Sequence, residues 1–96
     1  MSVDFSSIRN HNEHAVFDAV VEASGRYPGL QGREDLLADV ACVALNRLQP
    51  RYIRHTVDLA FYQSERERHE GERAVLDAVE YAFGFVQART AMRARA

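Results

Sequence analysis

The stretch from residue 33 to residue 50 reads REDLLADVACVALNRLQP. Its apolar residues follow helical spacing and cover more than one face, which predicts a helix over residues 33–48 that is buried on two sides. Glu34 and Asp35 lie in the first turn, where negative charge interacts favourably with the helix dipole. Pro50 ends the helix, because the residue before a proline avoids helical backbone angles.

The chain before this stretch predicts another helix. It starts at Ser6 or Ser7, whose hydroxyl group can cap free backbone amides at a helix N-terminus. Apolar residues at helical spacing continue to Ala23, and a Ser-Gly pair then ends the pattern.

The connector after Pro50, residues 51–63, reads RYIRHTVDLAFYQ. Its β-branched and aromatic residues favour a strand. The alternative is extended chain followed by a short helix. A lone strand needs a pairing partner, and a second subunit could supply one.

A long final helix follows the connector. Ser64 and Glu67 fit the capping box S-x-x-E, and the helix is predicted to run to Arg89 or beyond. Residues 65–73 are charged on every face, whereas residues 74–88 are apolar nearly all round. The first part is therefore solvated and the second part is buried.

These elements predict a mainly α fold of three helices with an extended or short-strand connector. Residues 1–96 form one domain, with frayed ends at residues 1–6 and 92–96. Two strongly apolar helices are too much for so short a chain to cover, which predicts an intertwined homodimer, since obligate interfaces resemble a core cut in half. The predicted interface residues on the last helix are Val75, Val79, Phe83 and Val86.

The composition limits the classes of function. The chain has 96 residues, a net charge of −2 and a pI of about 6.0. Domains that bind DNA directly usually carry a basic excess, so direct DNA binding is not expected. The sequence shows neither a signal peptide nor an apolar run long enough for a membrane span, so we expect a cytoplasmic protein with no membrane contact.

Catalytic and metal-binding patterns are not found, so we expect no enzyme, cofactor or metal. The sequence has no nucleophile elbow, no glycine-rich phosphate loop and no H-E-x-x-H motif. The lone Cys42 lies in an apolar run, which suggests an inert packed thiol. His11, His14 and Asp18 could share one helix face, but such spacings are frequent by chance on solvated helices.

Two blocks of sequence resemble the late competence development (ComFB) family. Residues 37–53, LADVACVALNRLQPRYI, are similar to the family signature D-V-x-A-x-A-L-N-x-L-P-P-x-Y-V. The matching residues are Asp39, Val40, Ala44, Leu45, Asn46, Leu48, Pro50 and Tyr52. Upstream, Asn10, Glu13 and Val16 are similar to the family's N-x-x-E-x-x-V block, at a compatible separation.

The resemblance implies a helical, dimeric regulator. Some members of the family are receptors for cyclic di-GMP, which makes cyclic dinucleotides the leading ligand class. Many members carry a C-x-C-x-x-C cluster that can bind zinc, but this chain has Gln31, Arg33 and Leu36 at those places. The first proline of the family's pair is Gln49 here. The family's zinc site is therefore not expected.

Arg47, Arg51, Tyr52 and Arg54 are the leading candidates for ligand binding. Arginine can form a fork to a phosphate or to a guanine edge, and tyrosine can stack on a base. The alternative is structural, with Arg47 in the last helical turn interacting with the dipole and Tyr52 packed.

Asn10 and Glu13 lie one turn apart on the predicted first helix. They could hydrogen-bond the base edge of a ligand. They could equally anchor a neighbouring loop by satisfying its backbone amides.

Asp39, Asn46 and Pro50 are interpreted as structural residues of the signature. Asp39 and Asn46 share a face of an apolar helix, so both need partners. Either Arg51 or Arg54 is predicted to pair with Asp39, and a backbone group with Asn46.

Two functions follow as hypotheses. The first is a non-enzymatic signalling module that binds cyclic di-GMP and signals to a protein partner. The alternative is a ligand-free interaction or assembly module linked to competence or DNA uptake, with the charged residues 65–73 as its contact surface.

Overall fold

The computed structural model describes residues 2–95, apart from the side chains of Ala60 and Tyr62. In chain order the elements are β1 (Arg9–Asn10), α1 (Asn12–Ala23), a 3₁₀ turn (Ser24–Arg26), α2 (Glu34–Arg47), β2 (Tyr52–Ile53), α3 (Val57–Tyr62) and α4 (Glu65–Ala94). Helices dominate, so the prediction of a mainly α fold is confirmed. The short helix α3 is an addition to the three that were predicted.

The helix α2 lies at the centre of the fold. It packs against both α1 and α4, which also contact each other. Val40 and Ala44 are fully buried, so the predicted burial of this helix on two sides is confirmed. Its bounds agree with the prediction within one residue, because Leu48 already has an extended backbone (φ −98°, ψ 145°).

The start of α1 differs from the prediction. The helix begins at Asn12, so neither Ser6 nor Ser7 caps it. The two residues of β1 are extended instead and pair antiparallel with β2, with Arg9 opposite Ile53. Pairing with a segment far along the chain uses the backbone groups that an earlier helix start would have needed.

The connector pairs within its own chain. Its partner strand is β1, not a strand of a second subunit, so the suggestion of an intersubunit partner for β2 is wrong. The chain then forms α3, which agrees with the alternative of extended chain followed by a short helix. We call the paired residues of β1 and β2 the ladder.

The helix α4 starts as the capping box predicts. The Ser64 Oγ accepts a hydrogen bond from the Glu67 backbone N–H at 3.1 Å. The helix continues through Ala94, so residues 92–94 are helical rather than frayed. Before the ladder, the chain makes a short turn in which Asp4 accepts a hydrogen bond from the Ser6 backbone N–H, and this bond lowers the pKa of the Asp4 carboxyl.

The core contains the four residues of α4 that were predicted to form a dimer interface. Within one chain they lie in the same cluster as Val16 and Val20 of α1 and Val40 of α2. Their exposed fractions are 7% for Val75, 3% for Val79, and 0% for Phe83 and Val86. The chain therefore covers these side chains by itself, and an interface through them stays a prediction only for a dimer that exchanges helices.

The loop between α1 and α2 is anchored on α4. The Tyr27 ring stacks on the Phe83 ring with centroids 4.1 Å apart and an interplanar angle of 3°. Leu30 in the same loop is 2% exposed. Gly32 then has a φ of +78°, in the left-handed region that glycine adopts without strain.

Candidate functional site

Two asparagines attach the ladder to the start of α1. The Asn10 Oδ1 accepts hydrogen bonds from the backbone N–H groups of Asn12 at 3.1 Å and Arg51 at 3.2 Å. The Asn12 Nδ2 donates to the Gln49 carbonyl at 2.9 Å, and the His11 N–H donates to the Arg51 carbonyl at 2.7 Å. We call these four hydrogen bonds the asparagine clamp.

The clamp assigns Asn10 a structural role. This residue lies in β1 and not on the first helix as predicted. Its carbonyl oxygen serves two backbone amides, which is the anchoring role considered from the sequence. Glu13 is exposed on α1, and no hydrogen bond of its side chain is found in the described residues. The pair therefore does not act as one unit on a helix face.

The clamp places Arg51 and Tyr52 at the molecular surface. Both side chains are exposed, and Tyr52 retains 67% of its accessible area. The backbone of Arg51 is fixed at both its N–H and its carbonyl by the clamp. A fixed backbone with a free side chain suits a residue that meets a ligand, because less ordering is required on binding.

Two further arginines lie at the ladder. The Arg54 Nε donates to the Ser7 hydroxyl at 3.1 Å, and its Nη1 lies 3.1 Å from the His55 Nε2. The Arg9 Nη2 donates to the Thr56 hydroxyl at 2.9 Å. Sequence reasoning missed Arg9, although it lies in an acid-free segment next to the Asn10 block.

Arg47 is directed elsewhere. Its guanidinium carbon lies 3.7 Å from the centroid of the Tyr81 ring of α4, which is a cation–π contact. The predicted ligand set therefore divides, with Arg51, Tyr52 and Arg54 at the ladder and Arg47 packed on α4.

The ladder region is cationic because its sequence lacks acids. Residues 5–12 and 40–57 contain no Asp or Glu, yet they include four arginines. Among the residues that the structure describes, none of these four forms an ion pair with a carboxylate. They are Arg9, Arg47, Arg51 and Arg54. Unpaired guanidinium groups that share a surface favour binding of an anion.

Two grooves flank the ladder. One has a volume of about 690 Å³ and contains Arg9, Asn10 and Glu13 beside the half-exposed Phe17 ring. The other, of about 900 Å³, includes Arg51 but is lined mainly by carboxylates of α1 and α4. Those carboxylates are Asp18, Glu22, Glu67, Glu70 and Glu72. An anionic ligand is therefore better accommodated on the Arg9 side than in the second groove.

Comparison with known families places this surface in context. A family model described as late competence development protein ComFB matches residues 9–90. The chain belongs to the ComFB family. The match begins at Arg9, the first residue of the ladder, and includes the clamp, α1, α2 and most of α4. Comparison with curated proteins finds no match.

The signature residues of this ComFB chain have structural partners. The Asp39 Oδ2 accepts a hydrogen bond from the Arg89 Nη2 at 2.8 Å, so the predicted pairing with Arg51 or Arg54 is wrong. The Asn46 Nδ2 donates to the Cys42 carbonyl at 3.0 Å, which confirms a backbone partner. Asn46 is nevertheless exposed rather than buried.

Other predicted features of the ComFB chain are simply located by the structure. Pro50 is exposed between α2 and the ladder. Cys42 is also exposed, so the expectation of a packed thiol is wrong. His14 lies 3.3 Å from Asp18 on α1, and the described residues contain no group of three or more His, Cys, Asp or Glu side chains suited to a metal ion. None of the described helices is both long and apolar enough to cross a membrane.

Proposed function

We propose that this chain is a small non-enzymatic regulatory protein that binds a cyclic dinucleotide, cyclic di-GMP foremost, at the ladder and signals to a protein partner as a homodimer. The observation that supports the proposal is the group of arginines at the ladder, Arg9, Arg51 and Arg54, which lack carboxylate partners in residues 2–95 and lie near the exposed Tyr52.

The chemistry of these side chains matches the ligand class. A cyclic dinucleotide carries two phosphodiester anions and two purine bases. Guanidinium groups bind phosphate oxygens through paired hydrogen bonds, and they bind the O6 and N7 atoms of guanine in the same way. An exposed tyrosine ring offers a stacking surface for a base. The hydroxyl partners of Arg9 and Arg54 are neutral, so a phosphate can replace them.

The asparagine clamp supplies the route for a signal. Ligand contacts with Arg51 would act on the start of α1, since Asn10 and His11 bond both backbone groups of that residue. A ligand shifts the population between two arrangements only if it binds them with different affinity. We expect the ligand to favour the arrangement in which the ladder is closed.

Calorimetric titration of the full chain with cyclic di-GMP tests the proposal, with cyclic di-AMP and GTP as controls. We expect binding at micromolar or lower concentrations of cyclic di-GMP. Arg51→Ala and Arg54→Ala should each weaken binding at least tenfold, because one charge-assisted fork is lost. Circular dichroism of these variants should match that of the wild type.

The matched control is Arg26→Ala. Arg26 is also exposed and forms no ion pair within residues 2–95, but it lies in the 3₁₀ turn after α1. Its replacement removes the same charge without changing the ladder, so affinity should be retained. Equal loss in all three variants would reduce the effect to net charge, and no heat with folded wild-type protein would reject the ligand.

The alternative function is a ligand-free interaction or assembly module linked to competence. The exposed apolar residues of α3 favour it, with Phe61 80% exposed and Val57 63% exposed. The charged residues 65–73 favour it less, because their arginines already pair with carboxylates one turn away on the same helix. Capture of a protein partner that is insensitive to cyclic di-GMP and is lost in Phe61→Ser would support this function.

A further inference from the structure

The outer face of α4 carries an apolar stripe that the chain itself does not cover. We define the α4 outer stripe as Tyr81, Gly84, Phe85, Ala88 and Met92, which follow one another at spacings of one, three or four residues. Tyr81 is 45% exposed, Phe85 is 44% exposed and Met92 is 71% exposed. These positions lie on the side of the helix opposite to Val79, Ala82 and Val86, which are in the core.

Gly84 lies at the centre of this stripe without a structural reason in the single chain. It is in the interior of a 30-residue helix, where glycine is less favourable than alanine. No atom lies within 4 Å of the position that a Cβ atom would take. The missing side chain leaves a notch of about 460 Å³ between Tyr81, Phe85, Asp77 and Glu80. Such a notch lets a second helix approach closely, because interaxial distance depends on the side chains at the crossing point.

The rings beside the notch are held in place. Tyr81 and Phe85 stack with centroids 6.3 Å apart, and Arg47 covers the other side of Tyr81. The Arg89 guanidinium lies 5.8 Å from the Phe85 ring. Fixed aromatic side chains are favourable interface anchors, because little side-chain freedom remains to be lost on binding.

Charge along α4 identifies the partner and its orientation. Residues 65–80 contain six carboxylates and three arginines, a net charge of −3, whereas residues 81–95 contain three arginines and no carboxylate, a net charge of +3. The sign changes next to Gly84. The helix dipole does not account for this pattern, because its effect is confined to the terminal turns and Asp77 and Glu80 lie in the helix interior.

We propose that two copies of this chain pair through the α4 outer stripe, with their α4 helices antiparallel and crossing at Gly84. This arrangement places the negative half of each helix beside the positive half of the other, and Tyr81 against the partner copy's small Ala88. A parallel pair would place like charges together. The inference specifies the surface of the homodimer in the proposed function, but it requires no ligand and is measured without nucleotide.

Sedimentation equilibrium of the full chain tests the surface. We expect a wild-type dimer, and Phe85→Glu should raise the dimer dissociation constant at least tenfold. Gly84→Leu should do the same while retaining or increasing helicity, because leucine is the better helix former. Leu76→Glu is the matched control, since Leu76 is an exposed apolar residue of α4 outside the stripe. A monomeric wild type, or dimers equally stable in Phe85→Glu and Leu76→Glu, would overturn the proposal.

Oxidative cross-linking tests the orientation in a Cys42→Ser background, which removes the exposed native thiol. Gly84→Cys should form a disulfide-linked dimer, because the crossing point faces its own copy. Asp77→Cys and Met92→Cys should each remain unlinked alone but cross-link when mixed. Self-linking of Asp77→Cys would indicate parallel helices, and absence of linking at Gly84→Cys would indicate another interface; either result contradicts the proposal.

Discussion

The arginines of the ladder and those of the core-facing helices differ in what they contact. Four arginines form ion pairs with carboxylates: Arg66 with Glu70, Arg68 with Glu72, Arg73 with Asp77, and Arg89 with Asp39. At the ladder, Arg9 and Arg54 reach hydroxyl groups or an imidazole, and the Arg51 side chain is exposed. The same side chain thus stabilises the fold in one region and leaves its charge available in the other.

This difference separates stability from binding. A guanidinium whose charge is matched by a carboxylate contributes to folding, by an amount that depends on its burial. A guanidinium without such a partner adds little to folding and attracts anions. Substitutions in the two groups should therefore affect different measurements, and the following predictions test that separation from the largest expected effect to the smallest.

Asp39→Ala should produce the largest loss of stability. Arg89 is 30% exposed, and its Nε atom is buried without a hydrogen-bond partner in the described residues, so removal of Asp39 leaves a poorly solvated cation. We expect the free energy of unfolding to fall by about 1.5–3 kcal/mol, measured by urea denaturation. A double-mutant cycle with Arg89→Met should show coupling, whereas additive losses would reject a specific pair.

Asn10→Ala should have an intermediate effect. Two backbone N–H groups, those of Asn12 and Arg51, lose their acceptor. Because the site is partly open to water, we expect a loss of about 1–2 kcal/mol in urea denaturation. Glu13→Ala, three residues away, should change stability by less than about 0.5 kcal/mol, as exposed positions usually do. Equal effects of the two substitutions would show that the clamp does not hold the ladder.

Arg66→Ala should have a small effect on stability. Its pair with Glu70 is exposed on the surface of α4, and pairs of this type contribute about 0.3–0.5 kcal/mol. The loss should shrink further in high salt, because exposed charges are screened. Affinity for cyclic di-GMP should be unchanged in the same variant.

Arg51→Ala should have the smallest effect on stability, within about 0.5 kcal/mol, because its side chain has no partner among the described residues to lose. The same substitution should cause the largest change in calorimetric affinity. If Arg51→Ala destabilised the fold more than Arg66→Ala, the separation between the two groups of arginines would not hold.

Local features of the fold could be predicted from the sequence. The helix α2 was predicted within one residue at each end, because its apolar pattern is dense and a proline follows it. The Ser64 cap of α4 was predicted because the capping box is a contact across only three residues. The partner of Asn46, four residues away on the same helix, was also within reach of such reasoning.

Contacts between distant residues could not be predicted in the same way. The strands of the ladder have two residues each, which is too short for a periodic pattern, and they join positions more than 40 residues apart. The partner of Asp39 lies 50 residues away on another helix. Apolar residues of α4 read as an interface from the sequence because the pattern does not tell which chain covers them.

The asparagine clamp also has a consequence for the motions of the protein. It joins Asn10 to Arg51 across 41 residues, so closing it costs loop entropy and adds no large apolar area. We expect the ladder to open locally far more often than the core unfolds, and its amides to exchange with solvent deuterium accordingly. A ligand that binds only the closed ladder would slow exchange at Arg51 and Asn12 first, while the amides of α2 kept their original rates.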